Sequence, residues 1–154
     1  MKRPDIIWDY DGTILPFRPY DSEQFLLDYL SRKNIHGYSF LKKIIGRAAI
    51  YADRKEIMGH SFKKYYNWLV RDTDTSVLDD VNSALAEMIP DSHVETFAAL
   101  SGRGFRMSII SCGTGDLCVN PLEKKNASRF FFRDYLEFFH LQGKKNIRNG
   151  LPCA

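Results

Sequence analysis

Hydrophobic spacing changes along the chain. Ile6-Ile7-Trp8 is a short apolar run that stops at Asp9-Tyr10-Asp11-Gly12-Thr13, and it reads as a buried strand entering a turn. Leu15-Pro16-Phe17-Arg18-Pro19 follows, and its two prolines exclude a regular helix there. From about residue 21 to residue 90 the pattern is helical. Asp21 stands as an N-cap with Gln24 three residues on, Phe25, Leu26, Tyr29 and Leu30 keep helical spacing, and Gly37 closes the segment. Phe40, Leu41, Ile44 and Ile45 open a second helix, and Ile57, Phe62, Tyr65, Tyr66 and Leu69 lie in a third. Val77, Val81, Leu85 and Met88 run along a fourth before Pro90 stops it.

Beyond Pro90 the texture changes again. Val94, Phe97, Ala98 and Leu100 predict a short helix ended by Gly102 and Gly104. Residues 105–110 read as a second buried strand, finishing at Ser111-Cys112-Gly113-Thr114-Gly115, and a helix runs from near Asp116 to about Lys125. Residues 130–141 are aromatic and strand-like, and Gln142-Gly143 supplies a turn. Helix between successive apolar strands points to an α/β fold with a parallel sheet, with the all-helical block set between the first strand and the rest as an inserted lid would be.

Composition narrows the picture only modestly. A chain of 154 residues is one domain, or one domain carrying an insertion, and 44% hydrophobic with 27% charged residues is the balance of a soluble globular protein. No apolar run approaches the roughly 20 residues that span a bilayer, and the N-terminus lacks the longer apolar stretch of a signal peptide. A cytoplasmic location without a membrane partner is the default expectation. The net charge of +3 is small and dispersed, so no nucleic acid is expected. Cys112, Cys118 and Cys153 are odd in number and lack zinc-type spacing, which suits reduced thiols.

Candidate chemistry sits at the two strand ends, where open α/β sheets bind their ligands. Two carboxylates one residue apart, Asp9 and Asp11, can divide nucleophilic or metal-binding work from proton transfer. Ser111, with free amides near Cys112 and Gly113, can hold phosphate oxygens. A β-hairpin at Asp11-Gly12 is the plainer alternative, but the residues after the turn are proline-broken and then helical. A cysteine-dependent phosphatase would want an arginine where Cys118 stands, and a dinucleotide-binding turn would want its third glycine there. A receiver-type phosphoacceptor domain would lack the helical insertion.

Residues 6–13 resemble the first motif of the haloacid dehalogenase-like hydrolases, an apolar strand followed by Asp-x-Asp-Gly-Thr. Ser108-Ile109-Ile110-Ser111 resembles the second, an apolar strand ending in Ser or Thr, and the helical insertion resembles the cap of the phosphoserine phosphatase subfamily. The resemblance implies a Rossmann-like core from residues 1–18 and 91–154, incomplete at its C-terminus, with residues 19–90 as an inserted all-helical cap. It implies Asp9 as nucleophile through an aspartyl-phosphate, Asp11 as acid and base, and Mg²⁺ held by Asp9 and Asp11. Gly12, Thr13, Ser111, Cys112 and Gly113 would bind the phosphoryl group of a small phosphorylated metabolite. Arg18, Arg47, Tyr65, Tyr66 and Trp68 are candidates for substrate selection, although packing between cap helices is the favoured reading of the aromatics. The family's later lysine and its second acidic pair find no match after Ser111. The chain is therefore expected to be a weak or inactive phosphatase with an open sheet edge that invites self-association. The alternative is a non-catalytic remnant binding phosphate or a partner protein.

Overall fold

The computed structural model describes residues 5–16, 21–33, 38–55, 61–71, 73–111 and 114–131. Strands β1 (Ile6–Asp9) and β2 (Met107–Ile110) pair in parallel, with Ile6 opposite Met107 and Asp9 opposite Ile110. The register is pinned at its entrance. Arg106 donates through Nε and Nη2 to the two carboxylate oxygens of Asp5 at 3.1 and 3.0 Å, while the Asp5 and Ile6 amides both donate to the Arg106 carbonyl. This fork is the geometry in which arginine binds carboxylate best, and it lowers the Asp5 pKa to about 2.

The two strands are buried differently. Met107, Ser108 and Ile109 are buried, whereas β1 alternates, with Ile6 and Trp8 turned partly into the core and Ile7 and Asp9 exposed. The expectation of a fully buried first strand thus holds for one face only. Among the described residues β1 is paired on a single side, while Met107 also bridges Phe131. Residue 130 falls in a short 3₁₀ turn, Ser128–Phe130, rather than in the strand expected from there, and residues 132–141 lie outside the described residues.

Six helices are described: α1 (Ser22–Arg32), α2 (Phe40–Arg54), α3 (Ser61–Arg71), α4 (Thr75–Met88), α5 (Asp91–Gly102) and α6 (Gly115–Lys124). Asp21 caps α1 by accepting from the Gln24 amide at 2.8 Å, as its position predicts, and Ser39 and Asp74 cap α2 and α4. Helix α1 ends at Arg32, ahead of Gly37, which lies outside the described residues, as does Ile57. Helix α5 closes in a Schellman motif. Gly104 takes φ +86°, its amide reaches the Ser101 carbonyl at 2.9 Å, and the Phe105 amide reaches Leu100 at 3.1 Å. Asn126, at φ +56°, closes α6 in the same way.

One buried cluster runs through both the sheet and the helices. It joins Tyr10, Ile14 and Leu15 of the acidic turn to Leu26, Leu27 and Leu30 of α1, Phe97 of α5, and Met107 and Ile109 of β2. Trp8 and Phe131 meet Phe97 edge-on at 5.1 and 5.0 Å between ring centroids. Helix α3 buries Phe62, Tyr65, Tyr66 and Leu69, as their spacing predicts. Helix α2 does not follow its pattern inward. The residues that announce it, Phe40, Leu41, Ile44 and Ile45, are exposed, and Gly46, Ala49 and Ile50 form its buried face.

At Gly46 helix α2 lies close against its neighbours. A Cβ there would lie 2.8 Å from Tyr65 Cζ and 2.9 Å from Leu27 Cδ2, both on buried side chains. Alanine would gain about 1 kcal/mol of helix propensity, but overpacking a filled core costs about 1–3 kcal/mol. The clash wins. Gly46→Ala should destabilise the fold by up to about 2 kcal/mol net, read as a lower urea midpoint at unchanged slope.

Candidate functional site

The parallel pair brings the carboxyl ends of both strands to one edge, so the acidic turn and Ser111 emerge side by side. The turn is tight. Ile14 and Leu15 donate back to the carbonyls of Asp9 and Tyr10 at 3.3 and 2.9 Å, and the Gly12 amide donates to Leu15 at 2.7 Å. Gly12 takes φ +85°, a conformation that costs side-chain-bearing residues energy. Tyr10, Ile14 and Leu15 are buried, and they anchor the turn from beneath. Thr13 is exposed and its amide donates to the Tyr10 carbonyl at 3.4 Å.

The two aspartates end up in different surroundings. Asp9 closes β1 and is exposed, while Asp11 is half-buried. The Ser22 amide donates to Asp11 Oδ1 at 2.8 Å and the Ser22 hydroxyl to Oδ2 at 3.2 Å. Ser22 opens α1, so Asp11 sits on that helix's N-terminus, where the backbone dipole favours negative charge. Burial nevertheless outweighs these bonds and holds the Asp11 carboxyl above the usual range, helped by the charges of Asp21 and Asp9.

Glu23, one residue further along α1, completes an acidic group that the sequence reading missed. Its pKa is pushed up to about 8, first by burial and then by Asp21, Asp11 and Asp53. Across the site Thr114 Oγ1 donates to Glu23 Oε1 at 3.4 Å, which ties α1 to the entry of α6. Asp21 is held by Arg54 of α2. Ser111 accepts from the Cys118 thiol at 3.4 Å, and Cys118 itself is buried, its ionisation pushed up by burial and by the nearby carboxylates. Ser22 and Glu23 carry no sequence signal beyond following an N-cap, and Cys118 none beyond its spacing from Ser111.

Of the residues singled out from sequence, Asp9, Asp11, Gly12, Thr13 and Ser111 are thus gathered at one strand-end edge. Cys112, Gly113 and Arg18 lie outside the described residues. Tyr65 and Tyr66 are buried in the core, Trp68 is partly buried with Lys42 Nζ 5.1 Å from its ring centre, and Arg47 pairs with Asp28 at 3.4 Å. The aromatics therefore pack between helices.

A divalent cation fits these residues only partly. Among the described residues no group of three or more His, Cys, Asp or Glu side chains is arranged to hold a metal ion. Ser22 already engages both carboxylate oxygens of Asp11. The Asp9 carboxylate and the Asp11 main-chain carbonyl remain as ligands, and Mg²⁺ is commonly held by one or two carboxylates with water and phosphate oxygens.

No family model, no curated protein and no solved structure matches the chain.

The acidic group should leave a signature in stability. A carboxyl whose pKa rises from 4.5 unfolded to about 8 folded binds its proton more tightly when folded. Its contribution is fully present below pH 4.5 and is lost as pH rises towards 8. Chemical denaturation across this window should show stability falling by at most about 1.4 kcal/mol per pH unit from this group. Glu23→Gln should flatten the slope, and an unchanged slope would show that Glu23 titrates normally.

Proposed function

We propose that this chain is a haloacid dehalogenase-like phosphatase acting on a small phosphomonoester through an aspartyl-phosphate. The observation that carries the reading is the contrast between exposed Asp9 and half-buried Asp11, whose pKa burial raises, beside Ser111 at one sheet edge. Pairs of carboxyls in different environments are how enzymes separate acid from nucleophile.

In this reading an Asp9 carboxylate oxygen attacks phosphorus as the bond to the leaving oxygen breaks, and the Asp11 carboxyl gives that oxygen its proton. Asp11, now ionised, takes a proton from water, whose oxygen attacks phosphorus and returns Asp9 with release of inorganic phosphate. Burial suits Asp11 to the first role because a raised pKa favours the protonated form that an acid needs. Ser22 fixes where that carboxyl points. Ser111 would hold a phosphoryl oxygen, with its hydroxyl already oriented by Cys118. Mg²⁺, bound by Asp9 and the Asp11 carbonyl, would neutralise phosphate charge. Helices α1 to α4 would form the cap over the turn.

Because the described residues offer so few metal ligands, slow turnover is expected, and binding of phosphate or a partner without turnover is the second reading. The test is hydrolysis of an aryl phosphate with Mg²⁺. Asp9→Asn should reduce it to background, because an amide cannot form the acyl phosphate. Asp11→Asn should lower it on the order of a hundredfold or more, and Tyr10→Phe should leave it nearly unchanged. Turnover by Asp9→Asn at the wild-type rate would refute the nucleophile. Phosphate binding without any turnover would favour the second reading.

A further inference from the structure

Among the described residues, polar contacts hold the acidic turn to three other elements. At its start the Tyr10 amide donates to the Ile110 carbonyl of β2 at 3.2 Å. In its middle Ser22 of α1 takes the Asp11 carboxylate. At its end His93 Nδ1, on α5, lies 3.1 Å from the Ile14 carbonyl oxygen, across 79 positions of sequence. Strand pairing accounts for the first contact and the acidic site for the second. His93 belongs to neither.

The carbonyl that His93 meets is part of a peptide bonded at both ends. The amide of that same peptide, the amide of Leu15, donates to the Tyr10 carbonyl at 2.9 Å and so closes the turn around Asp11. Hydrogen bonds linked through one peptide polarise each other. Ile14 is buried, and a buried carbonyl deprived of its donor is costly. A carbonyl only accepts, so the imidazole must carry its proton on Nδ1. His93 is itself well seated. Its amide donates to the Pro90 carbonyl at 3.0 Å, and its ring centre lies 6.5 Å from that of Phe97, one helical turn further on. Phe97 is the ring against which Trp8 and Phe131 pack. The donor therefore reaches the turn from a helix anchored in the core, the kind of support that holds a site in place.

We propose that His93 is a positioning residue for the acidic turn. By donating to the Ile14 carbonyl it fixes the peptide that closes the turn, and with it the direction in which Asp9 and Asp11 leave the sheet edge. Its contact is with the main chain and not with either carboxylate. Its effect on turnover rests on the phosphatase reading, whereas its hold on the turn does not.

The experiment combines heteronuclear NMR and kinetics on the full chain. In alkaline buffer, where imidazole is neutral, His93 should show the Nδ1–H tautomer, because the bond it makes selects that form. His93→Leu should speed amide exchange at Leu15 by about fivefold or more. His93→Asn, whose side-chain amide sets a donor near the Nδ1 position, should restore the protection. In aryl phosphate hydrolysis with Mg²⁺, His93→Leu should lower kcat by about tenfold to a hundredfold with KM little changed. His93→Asn should recover most of that rate, and thermal unfolding of both variants separates the effect from a general loss of fold. An Nε2–H tautomer, or unchanged Leu15 exchange in His93→Leu, would overturn the tether. Equal loss in both variants would make His93 a packing residue and overturn it too. If the unsubstituted chain turns over no phosphate ester, the phosphatase reading fails, and tautomer and exchange still decide whether His93 holds the turn.

Discussion

Parallel pairing of β1 with β2 joins segments about a hundred positions apart, and the placement of the acidic turn depends on it. A loop this long is costly to close, although the cost grows only logarithmically with length. Four residue pairs are too few to set a register alone, and slipping by one residue would turn every side chain to the other face. The Asp5–Arg106 fork fixes the entrance of the pair. Both partners are partly open to water, so the fork is better understood as setting register than as a large source of stability. Trp8 and Phe97, packed edge-on behind the sheet, make the same register the one that buries apolar surface.

The start of α1 is the second organising feature. Asp11, Asp21 and Glu23 converge on one helix N-terminus, which can favour negative charge but cannot satisfy three carboxylates equally. Each finds a different answer. Asp21 takes the cap and Arg54, Asp11 takes the Ser22 amide and hydroxyl, and half-buried Glu23 faces Thr114 with its pKa pushed up to about 8. An acidic site assembled in this way has its protonation states set by burial more than by pairing. Burial raises the pKa of Asp11 and of Glu23 alike.

Helix α2 illustrates a different balance. Its inner face has Gly46 and Ala49 beside Ile50, and Gly46 meets Tyr65 of α3, while Phe40, Leu41, Ile44 and Ile45 are left outside. Close helix approach needs small residues at the contact, so the bulkiest positions of an apolar helix need not be its core.

Much of this was legible in the chain itself. The Ile6–Trp8 run, the N-cap at Asp21, the helical spacing of α3 and α4 and the glycine after α5 are local signals that depend on backbone dihedrals and nearest neighbours, and each element forms where those signals lie. The turn at Gly12 was equally local, because only the permissive φ of glycine suits it. The sequence by itself therefore determined the order of β1, α1 to α5, β2 and α6 and the place of the acidic turn, and that two carboxylates stand one residue apart. It could not determine which face of α2 would be buried, because both faces are apolar and only the packing of Gly46 on Tyr65 decides. Nor could it determine that Ser22 would seize Asp11, that Glu23 would face Thr114, or that Cys118 would reach Ser111. Those contacts join separate elements, and burial, which only the assembled chain creates, is what moves the pKa values of Asp11 and Glu23.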